Sequence, residues 1–336
     1  MQRDNSHCLH ICFTVVCRFV EFIMSESLKN ILLLVLKILL GVMFCFAAVL
    51  KIIGIDQFEI YVFSFGIFSL NASFMLARLC IAWELILGIA LIVNVYNRLF
   101  IRLAMLTLVG FSVFLVYLIA IGRNDNCHCF GEFIKFTPWQ SLVKNVLFIV
   151  IVALVSKVKS FRFRPHWALV LLTMLVPVVA VFCVSPPDNF LFAEDGENGI
   201  VSQKLFDQYV SDNGDFAETG VLDGKKIVCY FSVSCRYCQL TAQKISAMSE
   251  RIPIPDTAIF YIFRGKYSAT QPGKFFAKTG TKPFACTFIG SDTLNPMTHG
   301  VVPVITFMEN GRIRKTFDYR NITESAVSEF VATPKR

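Results

Sequence analysis

Charged side chains are scarce in this sequence, and their scarcity limits what the whole chain can be. Asp, Glu, Lys and Arg make up 17% of the 336 residues, whereas soluble proteins carry about 25%. Hydrophobic residues reach 55%, and the mean hydropathy is +0.60. These values exclude a disordered chain, a disulfide-stapled mini-protein and an enzyme that is wholly dissolved in the cytosol. The length allows roughly two domains.

Several motifs of common enzyme chemistry are also missing. The sequence has no glycine-rich phosphate loop, no dinucleotide fingerprint, no His-Glu-x-x-His and no Ser-His-Asp arrangement, and we expect no bound cofactor. Nucleic acid is not an expected partner either, although the net charge is +8. The Lys and Arg residues lie in short segments between apolar runs, which is typical of a membrane protein.

Long apolar runs fill the first half of the chain. Windows of about 20 residues, enough to cross a bilayer as a helix, predict five spans at about 28–53, 74–95, 99–121, 139–155 and 167–184. After Pro186 the runs stop, and the mixed composition from Glu194 onward predicts a soluble domain. The predicted domains are an N-terminal segment (1–27), a four-helix membrane domain (28–156), a basic loop with a linking fifth span (157–190) and a soluble domain (191–336).

The first residues allow two interpretations. The apolar run at 9–24 is interrupted by Arg18 and Glu21, so it is too short to span, and it lacks the small-residue cleavage site of a secretory signal. Met24 opens a polar lead into the first span, and we favour it as the start of translation. A real amphipathic N-terminal helix is the alternative.

Positive charges predict the orientation, because Lys and Arg are retained on the cytoplasmic side. They concentrate between spans two and three and between spans four and five: Arg98, Arg102, Lys157, Lys159, Arg162 and Arg164. The alternate segments carry Asp56 and Glu59, or a mixed set in which Arg123 and Lys135 weaken the pattern. We expect a multi-pass protein of the bacterial inner (cytoplasmic) membrane, with a cytoplasmic N-terminus and a periplasmic C-terminal domain.

A cysteine pair in the soluble domain carries the clearest chemical signal. Cys235 and Cys238 follow a predicted buried strand (225–231) and begin a predicted helix (239–251). Backbone N–H groups and the helix dipole stabilise a thiolate at such a helix N-terminus. We favour a redox role. A structural disulfide or half of a zinc site is the alternative, although no second Cys-x-x-Cys or His pair lies nearby in the sequence to complete four ligands.

The order of elements around this pair resembles the thioredoxin fold. Further strands are predicted at 258–263, 300–308 and 313–317, and a closing helix at 323–332. The resemblance covers about residues 200–332. It implies that Cys235 is the exposed nucleophile and Cys238 the resolving thiol. It also implies that Pro303, with Val302 before it, is a cis-proline beside them.

The residues between the two cysteines depart from the commonest thioredoxin pattern. Arg236 and Tyr237 replace a Gly-Pro dipeptide, and no Trp precedes Cys235. The positive charge of Arg236 should help to hold a thiolate. A more oxidising couple is therefore compatible with the sequence, which does not fix its potential.

A second pair, Cys127 and Cys129, lies in the loop between the third and fourth predicted spans, with His128 between its members. A Cys-x-Cys pair closes only a small, strained ring, so its disulfide is easily reduced and suits exchange. A structural disulfide and a metal site that includes His128 are the alternatives.

This loop, Asn126-Cys127-His128-Cys129-Phe130-Gly131, resembles the methylamine utilisation protein MauE family when taken together with Leu40-Gly41, Lys51, Glu84 and Asn145. That family belongs with the DoxX-like four-helix membrane proteins. The resemblance covers about residues 28–156. It implies an integral membrane protein linked to making or maturing disulfide-containing periplasmic proteins, in that family the methylamine dehydrogenase subunit.

Glu84 is expensive to bury in a span, so it is a functional candidate, either as a proton acceptor or as a contact for a quinone. A helix-packing bridge to Lys51 or to Arg78 is an equal alternative. Four further cysteines have lesser roles: Cys45 and Cys80 are expected to be apolar filler, Cys229 a buried strand residue, and Cys286 is left open.

These features predict a DoxX/MauE-like helical membrane bundle followed by an α/β thioredoxin-like domain. Its expected function is that of a membrane-anchored thiol–disulfide oxidoreductase, with electrons passing between Cys235/Cys238 and Cys127/Cys129. Its expected partners are the lipid bilayer and periplasmic thiol or disulfide client proteins. The alternative is a non-catalytic assembly factor that holds a client. A quinone-linked oxidase of the vitamin K epoxide reductase type would need a Cys-x-x-Cys within a span, and the sequence has none.

Overall fold

A computed structural model describes residues 26–94, 97–123, 126–131, 134, 136–156, 167–187, 201–266, 268 and 270–332. Several sequence-based interpretations lie outside these residues: the start at Met24, the basic loop at 157–166, Lys135, and the beginning of the soluble domain at Glu194.

The chain forms two compact units, and each is discontinuous in sequence. The first combines Met1–Ile53 with Cys80–Val181, and the second combines Gly54–Leu79 with Phe182–Arg336. The sequence-based division placed residues 54–79 in the membrane domain. Their packing with the C-terminal part of the chain depends on tertiary contacts that no local pattern announces.

Five helices in the described part of the chain are long and apolar enough to cross a membrane. They are α1 (Glu26–Ile53), α3 (Leu70–Val93), α4 (Asn97–Ala120), α5 (Pro138–Val155) and α6 (Trp167–Val184), and a shorter α2 (Ile55–Phe63) follows α1. The predicted multi-pass helical part is therefore confirmed. Helix α3 begins earlier than the sequence indicated, at Leu70, and α2 was not predicted.

The first unit packs its helices around an apolar core that includes Leu40, Leu87 and Phe100. Helices α1 and α3 cross closely: a Cβ added at Gly41 would lie 2.8 Å from the carbonyl oxygen of Gly88, and one added at Gly88 would lie 2.7 Å from that of Gly41. Small residues permit such close backbone approach between membrane helices. The outer faces of these helices carry exposed aliphatic and aromatic side chains, which suits a lipid environment.

The second unit is built on a five-stranded mixed sheet with the order β3-β2-β1-β4-β5. The strands are β1 (Lys225–Phe231), β2 (Ile259–Arg264), β3 (Ala285–Ile289), β4 (Val304–Glu309) and β5 (Arg312–Phe317). Strands β1, β2 and β3 are parallel, whereas β4 is antiparallel to β1 and to β5. This is the thioredoxin-like fold that the sequence predicted, with one further strand, β3, at the edge.

Helices cover this sheet: α7 (Gln203–Asp212), α8 (Gly214–Ala217), α9 (Arg236–Arg251), α10 (Gln271–Thr279), α11 (Ser291–Met297) and α12 (Glu324–Ala332). Strand β1 is apolar on both faces because both are covered. Ile227, Cys229 and Phe231 enter one core cluster, while Val228 and Tyr230 enter the other. Cys229 is fully buried, as expected for a strand residue.

Residues 54–79 pack against α9 within the second unit. Ile60 of α2 forms a small buried cluster with Leu240 of α9 and with Tyr319. Arg251, in the last turn of α9, donates a hydrogen bond to the carbonyl oxygen of Phe68 (2.6 Å). Its guanidinium also lies 4.8 Å from the centre of the Phe63 ring. The segment is thus an integral part of the second unit.

A buried arginine completes the attachment of this segment. Arg78, which is 2% exposed, forms an ion pair with Glu59 of α2. It also donates hydrogen bonds to the carbonyl oxygens of Phe74 (2.9 Å), Ser185 (2.7 Å) and Pro186 (2.8 Å). A buried guanidinium must have its donors satisfied, and these partners join α2, α3 and the chain that follows α6.

Candidate active site

The Cys-x-x-Cys pair lies where β1 ends and α9 begins. Cys235 is the N-cap of α9, and its sulfur accepts a hydrogen bond from the backbone N–H of Cys238 (3.4 Å). The sulfur of Cys238 accepts one from the N–H of Ser232 (3.3 Å). Cys235 is half-buried, whereas Cys238 is fully buried. Burial raises the pKa of the Cys238 thiol above its ordinary value, so this thiol stays protonated at neutral pH.

Pro303 lies at the same end of the sheet. The Val302–Pro303 peptide bond is cis, and β4 begins directly after it. Because β4 is antiparallel to β1, with Tyr230 opposite Val304, the start of β4 meets the end of β1. Val302 and Cys235 also pack against the same core cluster. The fold therefore brings the cis bond to the end of β1 from which Cys235 extends.

The two residues between the cysteines are exposed on the first turn of α9. The ring of Tyr237 is 46% exposed, with its centre 5.6 Å from that of Tyr319. Val301, one residue before Val302, is 50% exposed. Among the described residues from 201 to 332, these are the large hydrophobic side chains that remain exposed. The role predicted for Arg236, that of holding a thiolate, stays a prediction.

The second cysteine pair lies on an irregular loop of the first unit that Asn126 holds in shape. The side-chain oxygen of Asn126 accepts hydrogen bonds from the N–H groups of His128 (3.3 Å) and Phe136 (3.2 Å). Its amide donates to the carbonyl oxygen of Gly131 (3.3 Å). His128 is buried and takes a left-handed backbone conformation, with φ of 52°. The Asn126 side chain therefore joins three backbone positions of the loop that carries Cys127.

Gly131 fixes this loop against the end of α1. Its φ is +65°, a region that favours glycine. A Cβ at this position would lie 2.6 Å from the carbonyl oxygen of Leu50. No other residue fits this approach without displacement, so Gly131 sets the position of the cysteine loop beside Lys51.

The sulfur atoms of Cys127 and Cys129 lie 2.8 Å apart, and the hydroxyl of Ser141 lies 2.8 Å from the sulfur of Cys127. Ser141 is in the first turn of α5, which begins with a capping box between Thr137 and Gln140. The hydrogen bond from Cys129, with the smaller contributions of Ser141 and the Lys144 charge, outweighs burial and lowers the pKa of Cys127 to about 6. The same thiol contact, followed by burial, raises the pKa of Cys129.

Lys144 lies one turn beyond Ser141 on α5, surrounded by aromatic rings. Its ammonium nitrogen is 4.2 Å from the centre of the Phe130 ring and 6.0 Å from that of Phe148. Its charge favours the thiolate at both Cys127 and Cys129. Neither Ser141 nor Lys144 was predicted from the sequence. With Asn145, they recur at helical spacing along α5, which is the signal that was available.

Glu84 forms a buried ion pair with Lys51, and their side chains are 7% and 4% exposed. Of the two partners considered from the sequence, Lys51 is therefore the one observed, while Arg78 pairs with Glu59. The second carboxylate oxygen of Glu84, Oε2, is buried without a hydrogen-bond partner in the described part of the chain.

A cavity of about 50 Å³ adjoins this ion pair. Its polar or charged lining comes from Lys51 of α1, Glu84 of α3, Cys129 of the loop, and Lys144 and Asn145 of α5. The rest of the lining is apolar: Leu40, Met43, Phe44, Ala47, Leu108, Phe111, Phe130 and Phe148. Several residues singled out in the sequence thus meet at one site, among them Leu40, Lys51, Glu84, Cys129 and Asn145.

The chain is similar to a known protein family in its membrane-helix part and to a curated relative over a longer stretch. Residues 29–157 match the family described as methylamine utilisation protein MauE. The MauE resemblance inferred from the sequence is thereby confirmed for this segment. A curated relative, "Protein TlpB" of Flavobacterium psychrophilum, is 24% identical, and the alignment covers 74% of this chain and 80% of that protein. That share exceeds the MauE-like segment, so the likeness extends into the rest of the chain.

Solved structures similar to this chain include the thioredoxin domain of a thiol–disulfide oxidoreductase from Bacteroides vulgatus (10% identity, 34% of this chain and 80% of that chain, TM-score 0.26). Another is a secreted disulfide oxidoreductase of Mycobacterium tuberculosis (13% identity, 33% and 83%, TM-score 0.26). A third is a secreted thiol–disulfide isomerase of Corynebacterium glutamicum (14% identity, 35% and 71%, TM-score 0.26).

Proposed function

We propose that this protein is a membrane-anchored thiol–disulfide oxidoreductase in which the Cys235/Cys238 pair and the Cys127/Cys129 pair exchange electrons. The observation that carries the proposal is that each pair has two unlike thiols. Cys235 is accessible at a helix N-terminus beside a buried, protonated Cys238. Cys127 has a pKa of about 6 beside a protonated Cys129. Exchange requires this division, because one sulfur attacks as thiolate and the other resolves the mixed disulfide.

The exchange needs no other redox group. When a dithiol pair meets the disulfide of the other pair, the attacking thiolate forms an intermolecular or interdomain S–S bond and displaces one sulfur. The second thiol then loses its proton and attacks the mixed disulfide, which releases the other sulfur. Two electrons and two protons leave the first pair and reduce the second. We therefore propose exchange without a cofactor, and we assign no quinone to it.

Counting spans supports a common side of the membrane for the two pairs. Residues 54–79 pack with residues 182–336 in one unit, and the chain between them returns to the same side if α3 to α6 all cross the bilayer. By the same count, α5 and α6 separate the Cys127 loop from residue 182, which supports the same side for that loop. The distribution of positive charges in the sequence favours the periplasm of a bacterial inner membrane as this side.

The clients that we propose are periplasmic proteins with thiols or disulfides. Exposed Tyr237 and Val301 flank the redox cysteine and the cis-proline in the chain, and such side chains offer apolar contact to a bound peptide. Arg236 adds a positive charge there. The lipid bilayer is the second partner.

Thiol trapping in intact cells tests the exchange. Cys238→Ala removes the resolving thiol, so Cys235 should accumulate in a mixed disulfide, which peptide mapping identifies. That species should vanish when Cys127→Ala and Cys129→Ala are added. It should persist when Cys286→Ala, which changes a half-buried cysteine on β3, is added instead.

Two results would overturn the proposal. If peptide mapping of Cys238→Ala finds Cys235 joined to other proteins but never to Cys127 or Cys129, Cys235 exchanges with partners other than the loop pair. A Cys235 that stays unreactive in every variant would favour the assembly-factor alternative, in which the thioredoxin-like domain holds a client without chemistry.

A further inference from the structure

To resolve a mixed disulfide at the loop, Cys129 must first lose its proton. Cys127 is ready to attack as a thiolate, but Cys129 holds its proton because the contact with Cys127 and its burial raise its pKa. Cys129 can complete the exchange only after a base has taken that proton. Water is a weak base for a thiol whose pKa is raised well above its ordinary value, so the protein itself should supply one.

Glu84 is the carboxylate that reaches the space beside Cys129. Both residues line the cavity of about 50 Å³ in the first unit. One carboxylate oxygen of Glu84 is bound to Lys51, whereas Oε2 is buried and has no hydrogen-bond partner in the described residues. A buried polar atom without a partner is costly. One explanation is a role in which it gains a proton.

The cavity provides the route between the two groups. A cavity needs roughly 10–15 Å³ to hold one water molecule, so this one has room for a short chain of waters between Cys129 and Glu84. The other charged or titratable groups that face it are Lys51 from α1 and Lys144 from α5. Cys80, one turn before Glu84 on α3, interacts electrostatically with it. Helix α4 adds only the apolar side chains of Leu108 and Phe111.

We propose that Glu84 accepts the proton of Cys129, through this cavity, when Cys129 resolves a mixed disulfide at Cys127. This inference rests on the proposed function and assigns a proton-accepting residue to the loop pair. Lys51 acts as a positioning residue. Its ion pair occupies one carboxylate oxygen of Glu84 and leaves the other, Oε2, available to accept a proton.

In one direction of the exchange, the loop dithiol reduces a partner disulfide. The Cys127 thiolate attacks the partner disulfide, forms a Cys127–partner S–S bond and displaces one partner thiolate. Cys129 then gives its proton to the Glu84 carboxylate, and its thiolate attacks the sulfur of Cys127. The Cys127–Cys129 bond forms and the second partner thiolate leaves. The proton on Glu84 passes to solvent or to a departing thiolate, and the reverse reaction returns it to Cys129.

The test separates the two halves of the exchange. The purified full chain carries Cys235→Ala and Cys238→Ala, so that the loop reacts alone, and oxidised glutathione is the disulfide probe. Mass mapping follows the Cys127–glutathione adduct and the Cys127–Cys129 disulfide with time. Glu84→Gln should leave adduct formation unchanged and slow its resolution on the order of 100-fold, the usual contribution of a general base. Cys129→Ala supplies the reference for an adduct that cannot resolve.

A pH profile distinguishes proton transfer from a structural role. Resolution in Glu84→Gln should rise about tenfold per pH unit, because only solvent sets the Cys129 thiolate fraction. The rise should be shallower with Glu84 present, and Glu84→Asp should restore part of the rate. Because Glu84→Gln leaves Lys51 opposite an amide, Lys51→Met plus Glu84→Gln is a second variant. Glu59→Gln, which leaves buried Arg78 opposite an amide and changes no residue of the cavity lining, is the matched control.

The outcomes are distinguishable. If no glutathione adduct forms at Cys127 with Glu84 intact, the proposed function fails. If the adduct forms and resolves at the same rate and with the same pH profile in Glu84→Gln, the proposed function stands and the role of Glu84 is wrong. Slowing by Glu59→Gln equal to that by Glu84→Gln would also overturn the inference, because it would trace the effect to general loss of packing.

Discussion

The two cysteine pairs are held by different kinds of contact. The sulfur of Cys235 accepts a backbone N–H at the start of a helix, and the preceding strand and following helix are its immediate neighbours in the chain. The sulfur of Cys127 also accepts a backbone N–H, that of Cys129 (3.4 Å), but it contacts two side chains as well, the Cys129 thiol and the Ser141 hydroxyl. The first pair is thus held by local backbone structure, and the second needs side-chain contacts in addition.

This difference determines which mutations should affect each pair. Backbone donors cannot be removed by changing a side chain, so the environment of Cys235 should resist substitution nearby. The pKa of Cys127 is lowered by side-chain contributions from Cys129, Ser141 and Lys144 and by one backbone N–H, and each side-chain contribution can be removed. The alkylation of Cys127 as a function of pH measures their combined effect, and the alkylation rate of Cys235 in the same sample is an internal reference.

The largest effect on Cys127 should come from Gly131→Ala. The new Cβ would meet the carbonyl oxygen of Leu50 at 2.6 Å, and alanine in a left-handed conformation costs about 1–2 kcal/mol in addition. The loop should therefore shift away from the end of α1. The pKa of Cys127 should then rise from about 6 most of the way to its ordinary value of 9.0. Alkylation between pH 5 and 10, mapped by mass spectrometry, measures the shift.

Gly122→Ala is the matched control for this change. Gly122 also has a positive φ, +73°, but a Cβ there meets nothing within 4 Å. It should cost the same backbone strain without moving the pKa of Cys127. Equal shifts in the two variants would contradict the view that contact with Leu50 positions the loop.

Ser141→Ala should have an intermediate effect. It removes a hydrogen bond to the Cys127 thiolate, and a hydrogen bond to a charged group contributes about 1.5–3 kcal/mol, or roughly one to two pKa units. Because a thiolate exists above its pKa, the pH at which alkylation of Cys127 is half-maximal should rise by about that amount. Ser156→Ala, which removes a hydroxyl bonded to the Ala153 carbonyl oxygen on the same helix, should leave it unchanged.

Lys144→Gln should have the smallest effect. Lys144 acts on Cys127 through its charge and contributes least among the groups that favour the thiolate. The pKa of Cys127 should rise by less than about one unit, and high salt should reduce the difference from the unmodified protein. Lys144→Arg keeps the charge and should preserve the low pKa. A larger effect of Lys144→Gln than of Ser141→Ala would reverse the order of contributions inferred here.

Local patterns explain why most of the sheet and the helix after Cys235 could be predicted. The strand Lys225–Phe231 has the bounds that its apolar run indicated, and the helix after it begins at Arg236. Strand β3, by contrast, is a short edge strand next to β2. Its residues are mostly half-buried, so its sequence carries neither a continuous apolar run nor a clean alternation.

The loop site could be predicted only in part. The Cys-x-Cys spacing and a carboxylate in a span pointed to Cys127, Cys129 and Glu84, because these residue types are unusual where they occur. Ser141 and Lys144 are ordinary residues at the start of a helix after a loop. Their importance comes from distances to sulfur atoms in another part of the chain, which no single-sequence pattern specifies.

Arg78 can pair with Glu59 early in synthesis, but its hydrogen bonds to the carbonyl oxygens of Ser185 and Pro186 need a part of the chain that is made much later. Residues 54–79 leave the ribosome long before residues 182–336, with which they form one unit. The core contacts of this early piece must therefore wait until the rest of α3, three more helices and the C-terminal domain have been synthesised. A gene fragment that starts at residue 191 would encode a thioredoxin-like domain that lacks Phe63, Leu70 and Phe74, three members of its buried core.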